Sequence, residues 1–575
     1  MWDWPELEDP EIGRAIVSSS NKKAAGPDSL SFLPIQYAHK AIPTVFNRAY
    51  KALFNRGYHP KAWKEAIGVI LPKLDKPDYS VPKAYRVISL LNCLGKTLEK
   101  LYATRLSYLA NTTGLLSPSQ LGGRKQRSAI DTALLLLHHI QKKQESNKRA
   151  VTSTLFQPLT DLATGVPQGS PISPILFLLY VRGILATKGY QLSYMDDFSI
   201  SITSTSAKKN IRQLEAIASS LFEQAEGQKV QFDPSKTELI HFSRQREPIL
   251  EGIWVGGLFF EAKPLVKWLG VFFNHRLQFK EHIDAKVKAA QAAFEGLSRL
   301  VSMQKGLSFR ASRQLYQACI ATIADYGAQL WYKGPKTPRS LLKPFQRLQN
   351  QALLKVLGAF KGSPIRALEA EAALPPPEVR FEKACLSYAL RTLYLLPSHP
   401  IRQAYNLAVR DELADSGSDL GALSYIRPYT QLFRLLKALV DVIGPNFSLE
   451  RRKASWEPPW ALEPKTSILI EEVPKPIAKK RHLQLLASLA DPFRPGPPPL
   501  AYYTDGSKGR PKGSLIETNA CSFCELGLEN RPNKVHYEGR ARRLGVRLGC
   551  PKLHQALYTA IQPSQRPSSG DRAQL

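Results

Sequence analysis

The chain has 575 residues, of which 43% are hydrophobic and 22% charged, so it can bury several cores and is not a disordered polyampholyte. Lysine and arginine number 79 against 48 aspartate and glutamate, and the resulting net charge of +31 predicts a polyanionic partner, nucleic acid first. No apolar run approaches a membrane span, the acidic N-terminus is unlike a targeting peptide, and six scattered cysteines indicate no disulfide framework. We therefore expect an intracellular protein without membrane contact.

The first 150 residues alternate between helical and β-branched patterns. Helical spacing predicts helices over residues 2–18, 32–54, 94–109 and 128–142, and β-branched runs predict strands over residues 66–71 and 85–90. A basic Gly-Pro turn, residues 22–28, separates the first two helical segments. The run Val151–Phe156 then predicts a strand that enters a sheet.

A tight loop rich in glycine and proline, Gly165–Pro174, leads into the apolar run Ile175–Val181. This pattern is typical of a loop that feeds a buried helix. Its small residues would let the protein backbone approach a nucleic-acid strand closely, and Gln168 and Ser170 could form hydrogen bonds with that strand.

The stretch Gln191–Ile202 reads as two short strands folded about a pair of aspartates, Asp196 and Asp197. Two adjacent carboxylates repel each other, and no cation stands beside them in the sequence. A divalent cation shared with a triphosphate would remove that cost. The alternative is a solvated turn, because aspartate is common in turns.

Taken together, Gly165–Pro174 and Tyr194-Met195-Asp196-Asp197 resemble the motifs that flank the active site of reverse transcriptases, the second being the YxDD box. The rest of the chain is similar to the enzymes of non-LTR (LINE-type) retrotransposons, especially fungal ones. The resemblance implies an α+β right-hand polymerase with fingers, palm and thumb. It also implies Mg²⁺ or Mn²⁺ as cofactor, with an RNA template, a DNA primer or RNA–DNA duplex, and deoxynucleoside triphosphates as partners.

The same resemblance assigns roles to individual residues. Asp196 and Asp197 would bind the metal ions of a two-metal nucleotidyl transfer. The triphosphate would be held by Lys73 and by Arg86, whose planar fork suits phosphate oxygens, with a surface ion pair as the alternative for Arg86. Gln168 and Gly169 would contact the template or the nucleotide. Lys236 would be a general acid toward pyrophosphate, or only a charge near it.

The resemblance breaks after Phe156. The family continues from this position with one residue and then the first catalytic aspartate, whereas the second residue after Phe156 here is Pro158. The chain passes to Gln157–Asp161, which reads as the strand before the Gly165 loop. The nearby acid Asp161 thus occupies a strand where the family needs no carboxylate. We therefore expect an incomplete palm and a chain that is inactive as a polymerase.

Beyond the palm, Val266–Val271 resembles the hairpin that grips the primer end, the alternative being a buried hairpin without such a role. Two basic helices over residues 279–328 imply a thumb that follows the duplex, although a charged helix face is often only solvated. Residues 456–499 are rich in proline and read as a linker. Residues 501–508 resemble the opening strand of RNase H, with Asp505 as the one recognisable metal ligand.

Composition and resemblance together divide the chain into six parts. These are the fingers and N-terminal helices (1–150), the incomplete palm (151–278), a thumb-like helical region (279–395), a helical connection with a Pro-rich linker (396–499), a partial RNase H-like segment (500–545) and a disordered tail (546–575).

Three hypotheses follow from the sequence. The first is the reverse transcriptase of a LINE-type element, in a defective copy that acts in the nucleus or in a cytoplasmic ribonucleoprotein. The second is a catalytically dead remnant that binds nucleic acid. The third is a group II intron maturase-type reverse transcriptase, for which a mitochondrial location would be expected.

Overall fold

The computed structural model describes residues 5–73, 77–159, 165–185, 189–298, 307–407, 430–443, 459–460, 502–504 and 523–525. The chain divides into two compact units, Met1–Ala461 with Leu548–Leu575, and Leu462–Arg547. In the second unit an antiparallel pair is described, β11 (Tyr502–Thr504) with β12 (Phe523–Glu525). Asp505 lies outside the described residues. Within the described part of the chain, no helix is both long and apolar enough to cross a bilayer.

The N-terminal helices form a small core of their own. Their bounds are α1 Asp9–Val17, α2 Phe32–Ala41, α3 Pro43–Asn55, α4 Lys61–Lys64 and α5 Cys93–Thr112. The predicted helical segment 32–54 is two helices, because Pro43 lacks the amide hydrogen that a continuing helix needs but fits the first turn of a new one. Across this core, the buried Arg105 of α5 donates from Nε to Glu11 of α1 at 3.0 Å.

Two antiparallel strands, β1 (Ala66–Pro72) and β2 (Tyr85–Leu91), form a ribbon that is mostly exposed to solvent. Their register places Leu71 opposite Arg86 and Gly68 opposite Ser89. The strands predicted over residues 66–71 and 85–90 are therefore confirmed.

The central sheet has four antiparallel strands in the order β4-β5-β3-β6. They are β3 Val151–Pro158, β4 Tyr190–Tyr194, β5 Asp197–Ser204 and β6 Glu238–Phe242. Helix α8 (Ala207–Gly227) covers the apolar face, where Leu155, Ile200 and Leu239 pack against its buried side chains. On the other face, hydroxyl groups bond across the strands, as between Thr154 and Ser201 at 2.9 Å. Helix α6 (Ala129–Ser146) contacts β3 and β4.

Helix α7 (Ser173–Tyr180) and two hairpins complete the surroundings of the sheet. The hairpins are β7 (Ile253–Val255) with β8 (Leu258–Phe260), and β9 (Leu265–Trp268) with β10 (Val271–Asn274). The turn between β9 and β10 consists of Leu269 and Gly270, both with positive φ (49° and 74°). Two consecutive residues of this kind make a type I′-like turn, which matches the twist of the flanking strands.

The remaining helices follow the sheet in sequence. Their bounds are α9 Lys280–Ser298, α10 Phe309–Leu315, α11 Thr322–Ala324, α12 Ala328–Trp331, α13 Arg339–Leu357, α14 Ile365–Glu371, α15 Pro377–Tyr394 and α16 Gln431–Ile443, with residues 400–407 also helical. A π-helical turn, Tyr316–Ala321, joins α10 to α11. The mixed helices and strands agree with the α+β class predicted from the sequence.

The later helices fold back on α6. The fully buried Asp131 of α6 accepts two hydrogen bonds of 2.8 Å from the guanidinium of Arg391 and one of 2.6 Å from Tyr388, both residues of α15. His138 of α6 bonds to the hydroxyl of Thr430 just before α16. These contacts attach α15 and α16 to the back of the central sheet through α6.

Of the linker predicted over residues 456–499, the structure describes Pro459 and Trp460, and both are docked. Arg14 of α1 donates to the carbonyl of Pro459 at 2.7 Å. The ring of Trp460 lies 5.2 Å from the ring of Tyr108 and 5.2 Å from the guanidinium of Arg105. Pro459 and Trp460 therefore contact α1 and α5.

Candidate active site

Strands β4 and β5 are joined by the tightest turn of the central sheet, which we name the carboxylate turn (Tyr194–Asp197). Tyr194 pairs with Asp197, so Met195 and Asp196 form the connection, and Met195 has a φ of +57°. A positive φ is costly for methionine, and the neighbouring Gly122 helps to hold Met195 in this conformation. A Cβ on Gly122 would lie 2.1 Å from the Met195 nitrogen, so only glycine lets this neighbouring loop lie on the turn. The predicted hairpin is thus confirmed.

The two carboxylates of the turn differ in exposure. Asp196 is exposed, whereas Asp197 is half-buried. Burial, and then repulsion by Asp196, raise the pKa of Asp197 to about 6, and the positive charge of Lys236 partly opposes this. A cation between the two carboxylates would reverse the rise, so the pair has the charge and the oxygen donors that suit a divalent ion.

The end of strand β3 lies directly beside this turn. Pro158 pairs with Asp197, and the next residue, Leu159, donates its N–H to the carbonyl of Asp196 at 2.9 Å. On the other side, Asp233 donates its N–H to the carbonyl of Pro158 at 2.9 Å. Because paired residues point to the same face, Pro158 and Asp197 share one face of the sheet.

The prediction that β3 ends at Phe156 is wrong by two residues. Proline is unfavourable within a central strand because it donates no hydrogen bond, but at the last position the ladder loses little. The interpretation of Gln157–Asp161 as a separate strand is also wrong at its start, since Gln157 and Pro158 continue β3. Asp161 lies outside the described residues.

Gln157 points to the opposite face of β3, the face of Leu155 and Leu159 that packs in the apolar core. It is 1% exposed, and both its amide nitrogen and its amide oxygen are without a hydrogen-bond partner among the described residues. A buried unpartnered amide is rare in native cores. Gln157 therefore fits poorly into the position that the fold gives it.

Few acids lie around the turn among the residues that the structure describes. In the part of the chain that is described, no three His, Cys, Asp or Glu side chains lie close enough to share a metal ion. Asp233, the buried acid next to Pro158, is bound by the Ser235 hydroxyl at 2.6 Å and by the ammonium of Lys236 at 3.0 Å. Among the described residues, Asp196 and Asp197 are the carboxylates of the turn that could hold a cation.

The predicted phosphate ligands Lys73 and Arg86 lie on the β1–β2 ribbon. Lys73 extends the ladder by donating its N–H to the carbonyl of Ala84 at 2.7 Å, and Arg86 lies opposite Leu71. The two cationic side chains are therefore diagonal neighbours on one face of the ribbon. Arg86 is exposed. The structure brings this predicted pair together.

The glycine loop (residues 165–172) contacts the same ribbon. Ser89 of β2 donates its N–H to the carbonyl of Gln168 at 2.8 Å. Gly169 has a φ of +131°, and a Cβ there would meet the Ser89 carbonyl oxygen at 2.4 Å, so glycine is required. The side chain of Gln168 is left exposed. The predicted residues Gln168 and Gly169 thus contact Ser89, which is three residues from Arg86 along β2.

The glycine loop is held in place by a contact that no sequence pattern predicted. The buried hydroxyl of Ser170 donates to Glu99 of α5 at 2.5 Å, and the other oxygen of Glu99 lies 3.7 Å from the imidazole of His59. Glu99 is 71 residues from Ser170 in the chain. No local pattern marks such a pair, because a glutamate on an amphipathic helix is ordinarily solvated.

Comparison with known proteins gives matches in the same region. Residues 160–273 match the family model described as "Reverse transcriptase (RNA-dependent DNA polymerase)". The segment begins just after Leu159 and contains the glycine loop, the carboxylate turn, Lys236 and all of the β9–β10 hairpin except Asn274.

Several curated relatives are similar over a longer range. A probable RNA-directed DNA polymerase from transposon BS of Drosophila melanogaster is 25% identical over 403 residues, 60% of this chain and 44% of that protein. An RNA-directed DNA polymerase from the mobile element jockey of the same species is 24% identical over 425 residues, 64% of this chain and 45% of that protein. A retrovirus-related Pol polyprotein from the type-1 retrotransposable element R1 of Bradysia coprophila is 25% identical over 420 residues, 64% of this chain and 41% of that protein.

These matches confirm the predicted resemblance to reverse transcriptases of non-LTR retrotransposons. They do not favour the dead remnant or the maturase-type enzyme. The chain spans less than half the length of the three relatives. The likeness to fungal elements stays a prediction.

Proposed function

We propose that the chain is the RNA-directed DNA polymerase of a non-LTR retrotransposon, in a copy that does not extend a primer as it stands. The observation that carries the proposal is the carboxylate turn, which lies beside Pro158 and within the segment similar to reverse transcriptases. In this assignment the ribbon belongs to the fingers, the central sheet to the palm and the helices from Lys280 onward to the thumb.

The residues of the site divide the work of nucleotidyl transfer. Mg²⁺ or Mn²⁺, when bound by Asp196 and Asp197, would neutralise negative charge on the phosphates and favour the ionised primer hydroxyl. The repulsion that raises the pKa of Asp197 is relieved by such an ion, so the donor set fits it. Lys73 and Arg86 would bind triphosphate oxygens on the face of the ribbon that they share.

The other residues orient the substrates or balance charge. Gln168 would direct its exposed side-chain amide toward the template or nucleotide, while its main-chain carbonyl is held by the N–H of Ser89. Lys236, held by Asp233, would place a positive charge near Asp197 and could supply a proton to leaving pyrophosphate. Asp505 would be the single recognisable ligand of an RNase H-like remnant, which we expect not to cleave RNA.

Pro158 is the reason that we expect no polymerase activity. Two-metal catalysis needs carboxylates from both neighbouring strands, and β3 presents a proline where its face meets Asp197. A prolyl ring has no oxygen that can bind a metal. Loss of a single electrostatic group commonly costs about 10²–10³-fold in rate, and a bridging ligand is at least that important.

The test is primer extension on an RNA template with Mg²⁺ or Mn²⁺, with Asp196→Ala as the matched control. We expect the unmodified chain and the control to give the same background. Extension by the unmodified chain that the control lacks would overturn the proposed inactivity, and Asp161→Ala would then identify the replacement ligand. Pro158→Asp should bind Mn²⁺ at least 10-fold more tightly, an effect that Asp196→Ala should remove.

A separate measurement tests the polymerase assignment itself. The chain should bind an RNA–DNA duplex with an affinity that falls steeply with salt, as expected for contacts with phosphates. Binding that is flat in salt, together with no gain in Mn²⁺ affinity from Pro158→Asp, would contradict the assignment.

A further inference from the structure

The hydroxyl of Ser170 is a buried anchor of the glycine loop. Ser170 is 6% exposed, and its hydroxyl donates to Oε2 of Glu99 on α5 at 2.5 Å. A hydrogen bond of this length from a hydroxyl to a carboxylate is roughly twice as strong as one between neutral groups. Glu99 is itself largely enclosed, with 15% of its side chain exposed. The contact therefore attaches the loop to a helix of the N-terminal core.

The second oxygen of Glu99 faces His59, which lies just before α4. His59 Nε2 is 3.7 Å from Glu99 Oε1, and this buried nitrogen has no hydrogen-bond partner among the described residues. The imidazole lies edge-on to the ring of Trp63, with 6.0 Å between ring centres. A Cβ on Gly95, one turn before Glu99, would lie 3.0 Å from the Cβ of Trp63, so α5 packs closely on this segment. Glu99 is thus confined between His59 and the loop.

The loop residues directly before Ser170 are those predicted to contact the template or the nucleotide. The main-chain carbonyl of Gln168 accepts from the N–H of Ser89 at 2.8 Å, and Gly169 packs on the carbonyl oxygen of Ser89. The side chain of Gln168 is exposed. Two residues of extended chain span at most about 7 Å, so a displacement of Ser170 also displaces Gln168.

The glycine loop is attached at two points to one continuous part of the chain. Its main chain is bonded to Ser89 of β2, and Ser170 is bonded to Glu99 of α5, the helix that follows β2 almost directly. Strand β2 also carries Arg86. The two attachments together fix both the position and the tilt of the loop relative to Arg86.

A second hydroxyl shapes the loop without attaching it to α5. Ser173, the first residue of α7, donates its hydroxyl to the carbonyl of Pro167 at 2.9 Å. This bond joins the loop to the helix that follows it in the chain. Glu99 is therefore the carboxylate that ties the loop to the N-terminal helices.

We propose that Glu99 is a positioning residue for nucleotide binding, which acts by holding Ser170 and thereby fixing Gln168 relative to Arg86. The inference rests on the proposed function, which supplies the nucleotide, and adds a residue that touches neither substrate nor metal. When the Ser170–Glu99 bond is absent, the loop is docked on β2 for a smaller fraction of the time. The apparent affinity for the nucleotide falls by that fraction. Loss of a hydrogen bond to a charged group changes such a ratio by about 10-fold or more.

The experiment measures two affinities of the full chain. The first is for an RNA template annealed to a dideoxy-terminated DNA primer. The second is for radiolabelled dTTP, which binds to that complex opposite a template adenine with Mg²⁺ present. Glu99→Ala and Ser170→Ala should each weaken dTTP binding about 10-fold, and the double variant should be no weaker than either single variant. Glu99→Gln keeps an acceptor oxygen for Ser170 and should lose less, and the affinity for the duplex should stay within error in every variant.

Hydrogen exchange gives a second readout that needs no ligand. Because the N–H of Ser89 is bonded to the loop, Glu99→Ala and Ser170→Ala should speed exchange in the β2 peptide, residues 85–91. The β1 peptide, residues 66–72, should keep its rate. Glu145→Ala is the matched control, because it removes a glutamate from an exposed ion pair with Arg244 at 3.0 Å. It should change neither the exchange of β2 nor the affinity for dTTP.

The outcomes separate this inference from the function on which it rests. Equal losses of dTTP and duplex affinity would overturn the positioning role, because they indicate a general loss of structure. Additive losses in the double variant would also overturn it, since Glu99 and Ser170 would then act independently. Unchanged dTTP affinity in all variants would overturn the role and leave the proposed function intact. Absence of dTTP binding by the unmodified chain would contradict the proposed function at Lys73 and Arg86, and the inference would fall with it.

Discussion

Replacing Gln157 by leucine should stabilise the protein, although the residue lies in the central strand of the sheet. The side chain is 1% exposed, lies between Leu155 and Leu159 on the core face, and has two unpartnered polar atoms. An unsatisfied buried polar group costs about 1–3 kcal/mol. Leucine removes this cost and packs apolar atoms against the same neighbours.

The opposing effect is a change of shape. Leucine branches one carbon earlier than the amide of glutamine, and a volume-conserving core exchange usually costs less than about 1.5 kcal/mol. We therefore expect Gln157→Leu to raise the free energy of unfolding by about 1–2 kcal/mol. Urea unfolding followed by circular dichroism measures this value, and hydrogen exchange of the β3 amides locates it.

Gln349 provides the matched control. It is fully buried, but its amide nitrogen donates to Glu369 at 2.9 Å and to the carbonyl of Pro375 at 3.1 Å, and its amide oxygen accepts from Arg380. Gln349→Leu removes these bonds, so it should lower the free energy of unfolding by about 1–3 kcal/mol. If Gln157→Leu were destabilising to the same extent as the control, the reasoning would be refuted, since the amide of Gln157 would then be hydrogen-bonded in solution.

Three further predictions concern other parts of the molecule. Asp197→Asn should stabilise the protein at pH 7 and have no effect below pH 4 in urea unfolding. Because folding raises the pKa of Asp197 to about 6, ionisation of this carboxyl at higher pH destabilises the folded protein, and asparagine does not ionise. Arg391→Ala should lower the free energy of unfolding by roughly 3 kcal/mol, since the buried Asp131 loses its two guanidinium bonds, and Arg391→Lys should recover only part. Trp460→Ala should speed hydrogen exchange in α1 and α5, because Trp460 covers Arg105.

The local patterns of the sequence were sufficient for the elements that carry the site. Alternation of Phe198 and Ile200 with small polar residues predicted β5, and the adjacent aspartates predicted the turn. The β-branched runs also predicted the two strands of the ribbon, whereas their register came from the structure and the roles of Lys73 and Arg86 from the family resemblance. Such features are local, and period-2 patterns record them directly.

Contacts between distant segments were not predictable in this way. Asp131 and Arg391 are 260 residues apart, and each alone resembles an ordinary charged residue on a helix. The same holds for Ser170 and Glu99. The extension of β3 through Pro158 was missed because proline argues against a central strand, and its pairing with Asp197 depends on neighbours supplied by other segments.

Pro158 has a second consequence, for stability without metal. Asp197 already has a pKa raised to about 6 beside one other carboxylate, so a third carboxylate from β3 would increase the repulsion whenever no cation is bound. Pro158→Asp should therefore melt at a lower temperature than the unmodified chain in the presence of a chelator, and Mn²⁺ should raise its melting temperature by more than it raises that of the unmodified chain. Pro158→Ala separates the loss of the ring from the gain of charge. It should neither melt at a lower temperature in chelator nor respond more strongly to Mn²⁺ than the unmodified chain. An equal response of all three proteins to Mn²⁺ would mean that position 158 does not face the metal site. The loss of an acid at this strand end would in that view disable catalysis and, by the same electrostatics, favour the fold without metal.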